Sequence, residues 1–207
     1  MTPSLAEVAD EIKKRAAGHA RFLVAIAGPP GAGKSTVAEK LAETLVECGE
    51  AAVVLPMDGF HMDNAVLEEK GLLPRKGAPE TFDVRGFIDI VRAIRAGGEV
   101  LVPVFDRSRE IAIAAARVIS PSHRIVVAEG NYLLLDEAPW SGLAGLFDLS
   151  VFLDVPEDVL SERLADRWRR YGLTPAEIAA KVGENDLPNG RRVLRQSRPA
   201  DLVITNL

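Results

Sequence analysis

One stretch of the chain has the residue types and the spacing that hold phosphate groups. It runs from Gly28 to Thr36 and fits the pattern G-x-x-x-x-G-K-[ST] at every fixed position. Glycines let the backbone take positive φ and approach an anion without a Cβ in the way, and N–H groups that open the following helix then point at the phosphates. We therefore predict a phosphate-binding loop, or P-loop, for ATP, formed by Gly28, Gly31, Ala32, Gly33, Lys34, Ser35 and Thr36.

Two polar side chains of the P-loop have separate predicted roles. The Lys34 ammonium can bridge the terminal phosphates as a point charge, and the Ser35 hydroxyl is placed to ligate the Mg²⁺ that accompanies ATP. The alternative is a glycine-rich turn that binds nothing. The motif is complete, however, and it follows an apolar run at 22–27 and precedes an amphipathic helix at 36–45, which favours a nucleotide site.

An acidic residue follows the apolar run at 125–128. In parallel α/β sheets, ligands bind at the carboxyl ends of the strands, so this residue, Glu129, is expected at the site. We predict that Glu129 holds Mg²⁺ directly or through water. The alternative is an ion pair at the end of the sheet.

A second acid, Asp58, comes shortly after the apolar run at 51–55 and is expected at the same edge. A kinase needs a base that orients and deprotonates the acceptor hydroxyl, and we predict this role for Asp58. The alternative is a turn carboxylate that bonds to its own backbone. The nearby His61 is predicted either to bind the acceptor or to be a surface histidine, and the sequence leaves both open.

A cluster of arginines lies near the end of a later predicted helix. It is either a solvated face or a mobile lid that stabilises a phosphoryl group in transfer and excludes water, and beside a P-loop we favour a lid around 163–174. Arg163 and Arg167 are four residues apart and face one way, Arg170 roughly shares that face, and Arg169 points elsewhere. Catalytic roles are predicted for Lys34, Asp58, Arg163 and Arg167.

The elements that must position these residues alternate between strands and helices. Capping boxes at 4–7 and 174–177 open two helices, and Asp83 caps another that ends at Gly97. Pro103 makes its strand an edge or irregular one, with a return strand that forms a small antiparallel excursion. About six alternating strands predict a three-layer α/β/α P-loop NTPase fold with a mostly parallel central sheet. The predicted strands lie at 22–27, 51–55, 100–105, 125–128, 149–154 and 201–205.

The composition fits one domain over residues 1–207, with an acceptor-side insertion around 58–120. The 207 residues are 47% hydrophobic and 27% charged, enough for one α/β core. A net charge of −5 gives no reason to expect a nucleic-acid partner. The single Cys48 excludes an internal disulfide, and no run reaches the ~20 apolar residues of a membrane span. Without a signal-peptide pattern, we expect a cytoplasmic protein that does not bind membranes.

Several motifs resemble known enzymes. The P-loop, DGFH at 58–61 and PETFD at 79–83 together resemble the bacterial type I pantothenate kinases. The segment VFDRSR at 104–109 resembles uridine kinases and phosphoribulokinases, and the match to this P-loop kinase superfamily covers nearly the whole chain. The segments at 129–135 and 167–174 resemble compact bacterial proteins described as fructose transport system kinases or fructokinase-like proteins.

This resemblance implies an ATP-dependent phosphotransferase that acts on a hydroxyl group of a small molecule. It implies that Asp58 is the base, that Arg163 and Arg167 belong to the lid, and that adenine lies near the C-terminal strand. Because relatives are often dimers or larger, it also implies a homodimer. The implied acceptor contacts are His61, Lys76, Asp106 and Arg109.

Alternatives remain open at this point. The expected acceptor is a sugar such as fructose, and a pantothenate-like acid alcohol or a nucleoside is the alternative within kinases. A regulatory ATPase that uses hydrolysis as a switch is a rival from another class. A non-catalytic nucleotide-binding module is a further rival, which the complete set of Lys34, Ser35, Asp58 and Glu129 disfavours.

Overall fold

The strands of this chain form two separate sheets. The structure is a computed structural model that describes residues 2–205. Five strands make one parallel sheet in the order β2-β5-β1-β6-β7, while β3 and β4 pair antiparallel by themselves. The strands are β1 Phe22–Ala27, β2 Ala52–Pro56, β3 Val100–Asp106, β4 Ile111–Ile119, β5 Ile125–Glu129, β6 Leu149–Asp154 and β7 Leu202–Thr205.

Helices cover both faces of the parallel sheet. On one face, Val8 of α1, Leu41 of α2 and Leu160 of α5 join one apolar cluster with the sheet, and on the other Phe87 of α4 and Trp140 join a second. All residues of β1 and β5 are buried, as expected for central strands covered on both sides. The predicted α/β/α fold is therefore confirmed. The α-helices are α1 Leu5–Ala16, α2 Lys34–Glu47, α3 Asn64–Glu69, α4 Val84–Ala96, α5 Glu157–Arg170, α6 Pro175–Ala180 and α7 Leu187–Gln196.

Local signals set most helix starts. Ser4 accepts a hydrogen bond from the backbone N–H of Glu7, and Thr174 forms the same capping box with Glu177, as predicted. Asp83 caps α4 by accepting from a backbone N–H of the first turn. None of the helices between residues 2 and 205 is long and apolar enough to cross a bilayer.

The β3–β4 hairpin is the predicted antiparallel excursion. Its register shifts between Val102 and Val104, where Pro103 has no N–H for the ladder. The hairpin packs on the turn at Met57–Phe60, and a Cβ on Gly59 would overlap the Pro103 carbonyl group. The close approach that this glycine allows fixes the hairpin beside the carboxyl end of β2.

Two segments differ from the expectation. The predicted loop at 71–83 contains two 3₁₀ turns, at Leu73–Arg75 and Pro79–Thr81. After α6 the chain continues through a π-helical segment at Lys181–Asp186 into α7, and the sequence pattern did not separate these pieces. A π segment of six residues is little more than one turn, so it is too short to show an apolar period of its own in the sequence.

Candidate active site

The site lies at the carboxyl edge of the parallel sheet. Glu129, the last residue of β5, is level with Ile26 of β1 and Pro56 of β2. The P-loop follows β1 and Asp58 follows β2, so three chain segments meet at one edge. They enclose a cavity of about 450 Å³, whose polar lining includes Lys34, Ser35, Asp58, His61, Lys76, Arg107, Glu129, Arg163 and Arg167.

The P-loop glycines are needed for both backbone shape and close packing. Gly31 and Gly33 have φ of 83° and 85°, in the left-handed region that favours glycine. A Cβ on Gly28 would lie 2.8 Å from the carbonyl oxygen of Leu153 at the end of β6. Gly33 is the N-cap of the 14-residue helix α2, so the positive end of that helix faces the cavity. Of the predicted nucleotide-binding residues, Gly31, Gly33, Lys34, Ser35 and Thr36 line the cavity.

Lys34 and Glu129 are the buried charged groups of the nucleotide side. The Lys34 side chain is 7% exposed, and its ammonium donates to the Pro29 carbonyl oxygen at 2.8 Å. Burial lowers the pKa of Lys34 to about 8, against the opposing effect of Glu129. Burial and the Asp58 charge raise the pKa of Glu129 to about 7, while Lys34 and a hydrogen bond with Ser35 lower it. The pKa values of both groups therefore lie near neutral pH. Bound phosphate would favour the charged form of Lys34, and a bound cation would favour the charged form of Glu129.

The donor set on this side fits Mg²⁺. Ser35 and Glu129 both line the cavity. Within residues 2–205 there is no group of three or more His, Cys, Asp or Glu side chains that could hold a metal. Mg²⁺ in phosphoryl-transfer sites is usually bound by one or two protein oxygens together with substrate phosphates and water, which a hydroxyl and one carboxylate can supply.

Asp58, after the neighbouring strand β2, is held by two neighbours. Its carboxylate forms an ion pair with Arg107, and its backbone carbonyl accepts a hydrogen bond from Nδ1 of His61 at 2.8 Å. Burial raises the pKa of Asp58, but His61 and Arg107 lower it more, so the net pKa is below the usual value. The carboxylate is thus ionised and can accept a proton.

His61 belongs to an aromatic group rather than to the open surface. Its ring lies between Phe82, at 4.1 Å between centroids, and Phe105, at 4.7 Å. Burial lowers the pKa of His61. In the neutral ring, donation from Nδ1 leaves Nε2 as the acceptor, so His61 can take a hydrogen bond from a hydroxyl group. His61 therefore lines the cavity and is not a surface histidine, while its contact with the acceptor stays a prediction.

The β3–β4 turn brings Arg107 and Glu110 into the cavity lining, but not Asp106 and Arg109. Arg109 donates to the Asp106 carboxylate at 2.7 Å, and the same carboxylate accepts from Ser108. These hydrogen bonds hold the pKa of Asp106 well below its usual range and shape the turn. The role of Asp106 and Arg109 as acceptor contacts stays a prediction without support from their position.

Arg107 is the site residue that sequence reasoning missed. It lies in the turn directly after β3, between two residues that the resemblance named, and Phe105 and Arg107 both reach the cavity while Asp106 does not. Lys76, which the resemblance implied, does line the cavity. Its ammonium lies 3.2 Å from the Glu110 carboxylate and 5.2 Å from the centroid of Phe105.

The predicted lid arginines share one face of α5. Arg163, Arg167 and Arg170 line the cavity, whereas Arg169 pairs with Asp166 on the outer side, as their spacing predicted. Among residues 2–205, none of the three cavity-lining arginines forms a salt bridge. Their charges are thus available to a phosphoryl group in the cavity.

A second unpredicted feature connects the lid to the acceptor side. The indole N–H of Trp168 in α5 donates to Asp186 at 2.6 Å, and the neighbouring Asn185 side chain donates to the Lys76 carbonyl oxygen at 3.0 Å. Asn185 is 4% exposed, so this hydrogen bond is shielded from water. The π-helical segment at 181–186 therefore contacts both the lid and the loop that carries Lys76.

Comparison with known proteins places this site in context. The family model described as Phosphoribulokinase / Uridine kinase family matches residues 23–206. The crystal structure of a candidate fructose transport system kinase from Silicibacter sp. TM1040 superposes with a TM-score of 0.93 and 44% identity, over 97% of this chain and 98% of that one. The uncharacterised protein YggC of Escherichia coli (strain K12) is 40% identical over 188 residues, 89% of this chain and 77% of YggC. A pantothenate kinase of Chelativorans sp. (strain BNC1) is 30% identical in an alignment 213 positions long, which covers 88% of this chain and 67% of the relative.

Proposed function

Because this chain belongs to the phosphoribulokinase / uridine kinase family, we propose that it transfers the γ-phosphate of ATP to a hydroxyl group of a small polyhydroxy metabolite, with a sugar such as fructose as the leading acceptor. The chain is a P-loop small-molecule kinase by family and fold. The observation that carries the proposal is the single cavity that joins Lys34, Asp58 and Glu129 to the arginines of α5.

On the nucleotide side, the residues bind and orient phosphate. Lys34 and the N-terminal end of α2 supply positive charge to the terminal phosphates. Ser35 and Glu129 would hold Mg²⁺, which when bound neutralises charge on the β- and γ-phosphate oxygens. Arg163 and Arg167 approach from the lid, where they stabilise the charge on the phosphoryl group in transfer and help exclude water.

On the acceptor side, Asp58 orients and deprotonates the hydroxyl. As the hydroxyl oxygen bonds to the γ-phosphorus, the bond from that phosphorus to the leaving oxygen of ADP breaks, and the hydroxyl proton passes to Asp58. The backbone carbonyl of Asp58 is already held by His61 at 2.8 Å, which limits movement of the base.

The charge pattern of the acceptor side supports a neutral acceptor. Arg107 is paired with Asp58, and Lys76 with Glu110, so a sugar leaves no buried charge without a partner. Aromatic rings with a few placed polar groups are also typical of small-molecule sites, and His61 between two phenylalanine rings fits this pattern. The similar structure described as a candidate fructose transport system kinase adds support for a sugar.

The experiment is ADP release from Mg·ATP with a panel of acceptors. The panel contains fructose, other hexoses, pentoses, pantothenate, uridine and cytidine, with a reaction that lacks any acceptor. Stimulation by fructose or another sugar supports the proposal, and stimulation by pantothenate or a nucleoside alone replaces the sugar with that acceptor. Strong turnover without acceptor would instead indicate the regulatory ATPase.

The control variant is Lys34→Ala. Removal of the buried ammonium is expected to weaken Mg·ATP binding and to lower turnover together, because Lys34 contacts phosphate in both the bound and the reacting state. Isothermal titration with Mg·ATP separates the two effects. Unchanged affinity and unchanged turnover in this variant would contradict the assignment of the P-loop.

A further inference from the structure

Arg107 is not assigned by the P-loop, lid or base arguments, yet it contacts the candidate base directly. Its guanidinium pairs with one carboxylate oxygen of Asp58 inside the cavity. The other carboxylate oxygen lies 4.0 Å from Nδ1 of His61. The remaining charged groups that face Asp58 are Lys34, Arg167 and Glu129, all on the nucleotide side. Among residues 2–205, Arg107 is the one arginine or lysine that forms a salt bridge with the Asp58 carboxylate.

Hydrogen bonds within the β3–β4 turn fix the backbone around Arg107. The Asp106 carboxylate accepts backbone N–H bonds from Ser108, at 2.9 Å, and Arg109, at 3.2 Å, which fixes the turn. Lys76 holds the end of the turn through the carbonyl oxygen of Glu110 at 3.1 Å. The Arg107 guanidinium also lies 5.9 Å from the centroid of Phe105, a cation–π distance. These bonds fix the backbone on either side of Arg107, and Phe105 and Asp58 are the contacts of its side chain.

The ion pair is accessible enough to be replaced. The side chains of Arg107 and Asp58 are 40% and 24% exposed. A pair with this exposure is weaker than a fully buried one, because water screens both charges. A ligand that enters the cavity can therefore take over the hydrogen bonds of both partners.

From this geometry we propose that Arg107 makes the enzyme select a polyhydroxy acceptor over water. Without an acceptor, Arg107 stays paired with Asp58. An acceptor with two neighbouring oxygen atoms replaces this ion pair. One hydroxyl donates to Asp58 and attacks, while the oxygen beside it accepts from Arg107. The inference rests on the proposed function and adds to it an acceptor class, a compound with neighbouring oxygen atoms, and a residue that suppresses ATP hydrolysis.

The contrast with water follows from counting lone pairs. A single water between the two groups would donate to Asp58 and accept from Arg107 through the same oxygen, which occupies one of its two lone pairs and makes the other less nucleophilic. In the suppressed reaction, the water oxygen would bond to the γ-phosphorus, the bond from that phosphorus to ADP would break, and one water proton would pass to Asp58. A guanidinium carries several donors in a fixed plane, so Arg107 can serve an acceptor oxygen without leaving its turn.

The test measures ADP release from Mg·ATP without any acceptor. Arg107→Ala is expected to raise this hydrolysis about fivefold, the size expected when one partly exposed ion pair is removed. Arg107→Lys keeps a cation beside Asp58 and is expected to stay near the wild-type rate. The double variant Arg107→Ala with Asp58→Asn is expected to lose the gain, because the uncovered base is gone. Loss of packing alone would lower activity and would not produce a gain that depends on Asp58.

The matched control is Arg85→Ala, which removes an ion-paired arginine whose side chain is 93% exposed on α4. It is expected to hydrolyse ATP at the wild-type rate. An unchanged or lower rate in Arg107→Ala, with Mg·ATP affinity retained, overturns the inference, as does a gain that persists in the double variant. If Arg107→Ala does not fold by circular dichroism, Arg107→Gln, which keeps most of the reach without the charge, takes its place with the same expectations.

The two proposals fail in different ways. If wild type is stimulated by a member of the acceptor panel but Arg107→Ala shows no gain in hydrolysis, only the role of Arg107 is wrong. If wild type is not stimulated by any acceptor and Lys34→Ala behaves like wild type with Mg·ATP, the proposed function itself is wrong. With fructose or the stimulating panel member as probe, Arg107→Ala is also expected to raise the acceptor KM and to leave the KM for ATP unchanged.

Discussion

At the scale of single residues, Asp58 is the group on which the proposed chemistry depends. Asp58→Asn keeps an oxygen for Arg107 but cannot accept a proton, so kcat is expected to fall about 10²–10⁴-fold with Mg·ATP affinity unchanged. The measurements are kcat with the stimulating acceptor and titration with Mg·ATP. Asp63→Asn is the control, because Asp63 only caps α3 and asparagine caps equally well. A fall of less than about tenfold in Asp58→Asn would argue against general-base catalysis at this position.

The buried pair on the nucleotide side predicts an unusual proton balance. With a pKa of about 7, Glu129 is half protonated near pH 7, and it should lose a proton when Mg·ATP binds. With a pKa of about 8, Lys34 is mostly uncharged near pH 8.5 and should take up most of one proton beside the phosphates. Calorimetry in buffers of different ionisation enthalpy should therefore show net release near pH 7 and net uptake near pH 8.5.

A variant separates the two contributions to this proton balance. Glu129→Gln has no carboxyl group to ionise, so the release near pH 7 should disappear while the uptake near pH 8.5 remains. If wild type releases protons on Mg·ATP binding at both pH values, or takes them up at both, the pKa values of Glu129 and Lys34 are not shifted towards each other.

At the scale of elements, helix α5 presents its arginines in two directions. Arg163→Ala and Arg167→Ala are each expected to lower kcat about 10²-fold, because each removes a charge that faces the phosphoryl group in the cavity. Arg169→Ala is the matched control on the same helix, since Arg169 pairs with Asp166 on the outer side, and it should change kcat little. Equal losses in all three variants would indicate a helix-stability effect instead of a directed role.

The β3–β4 hairpin was predicted from the sequence, but the residues that it brings to the cavity were not. The strand, its irregular point at Pro103 and the return strand follow from residue types, and all are present. The resemblance pointed to Asp106 and Arg109, whereas the residues that line the cavity are Phe105, in β3, and Arg107, in the turn after it. Which face of a hairpin meets the site depends on how the hairpin packs on the turn after β2, and that packing is a tertiary contact that a local pattern does not contain.

At the scale of the whole molecule, the fold follows from the sequence more fully than the site does. Continuous apolar runs such as 125–128 identify buried parallel strands, and the carboxyl-edge rule then brings Asp58, Glu129 and the P-loop together. The contact between the lid and the acceptor loop was not predictable in this way. It depends on single hydrogen bonds from a π-helical segment, and these leave no periodic trace in the sequence.

That contact predicts communication across the molecule. Phosphates that draw Arg167 inwards also move Trp168, which is bonded to Asp186, and the adjacent Asn185 holds the Lys76 carbonyl oxygen. Binding of a non-hydrolysable Mg·ATP analogue should therefore slow hydrogen exchange at 72–82, on the acceptor side, as well as at the P-loop. Asn185→Ala removes the buried hydrogen bond of this contact, whereas the Lys181 ammonium still lies 3.4 Å from the same carbonyl oxygen. Most of the slowing at 72–82 should therefore be lost while the P-loop stays protected.

The control lies on the same segment. Glu184 is exposed, and its contact with Arg75 uses the Glu184 backbone carbonyl oxygen, at 3.2 Å, and not the side chain. Glu184→Ala should therefore retain the full response at 72–82. Slowing at 72–82 that survives undiminished in Asn185→Ala would show that nucleotide and acceptor sides communicate by another route or close independently. Loss of the response in Asn185→Ala alone would mean that one buried side chain lets ATP prepare the acceptor side, which is how a kinase can delay closure of the reacting site until both substrates are present.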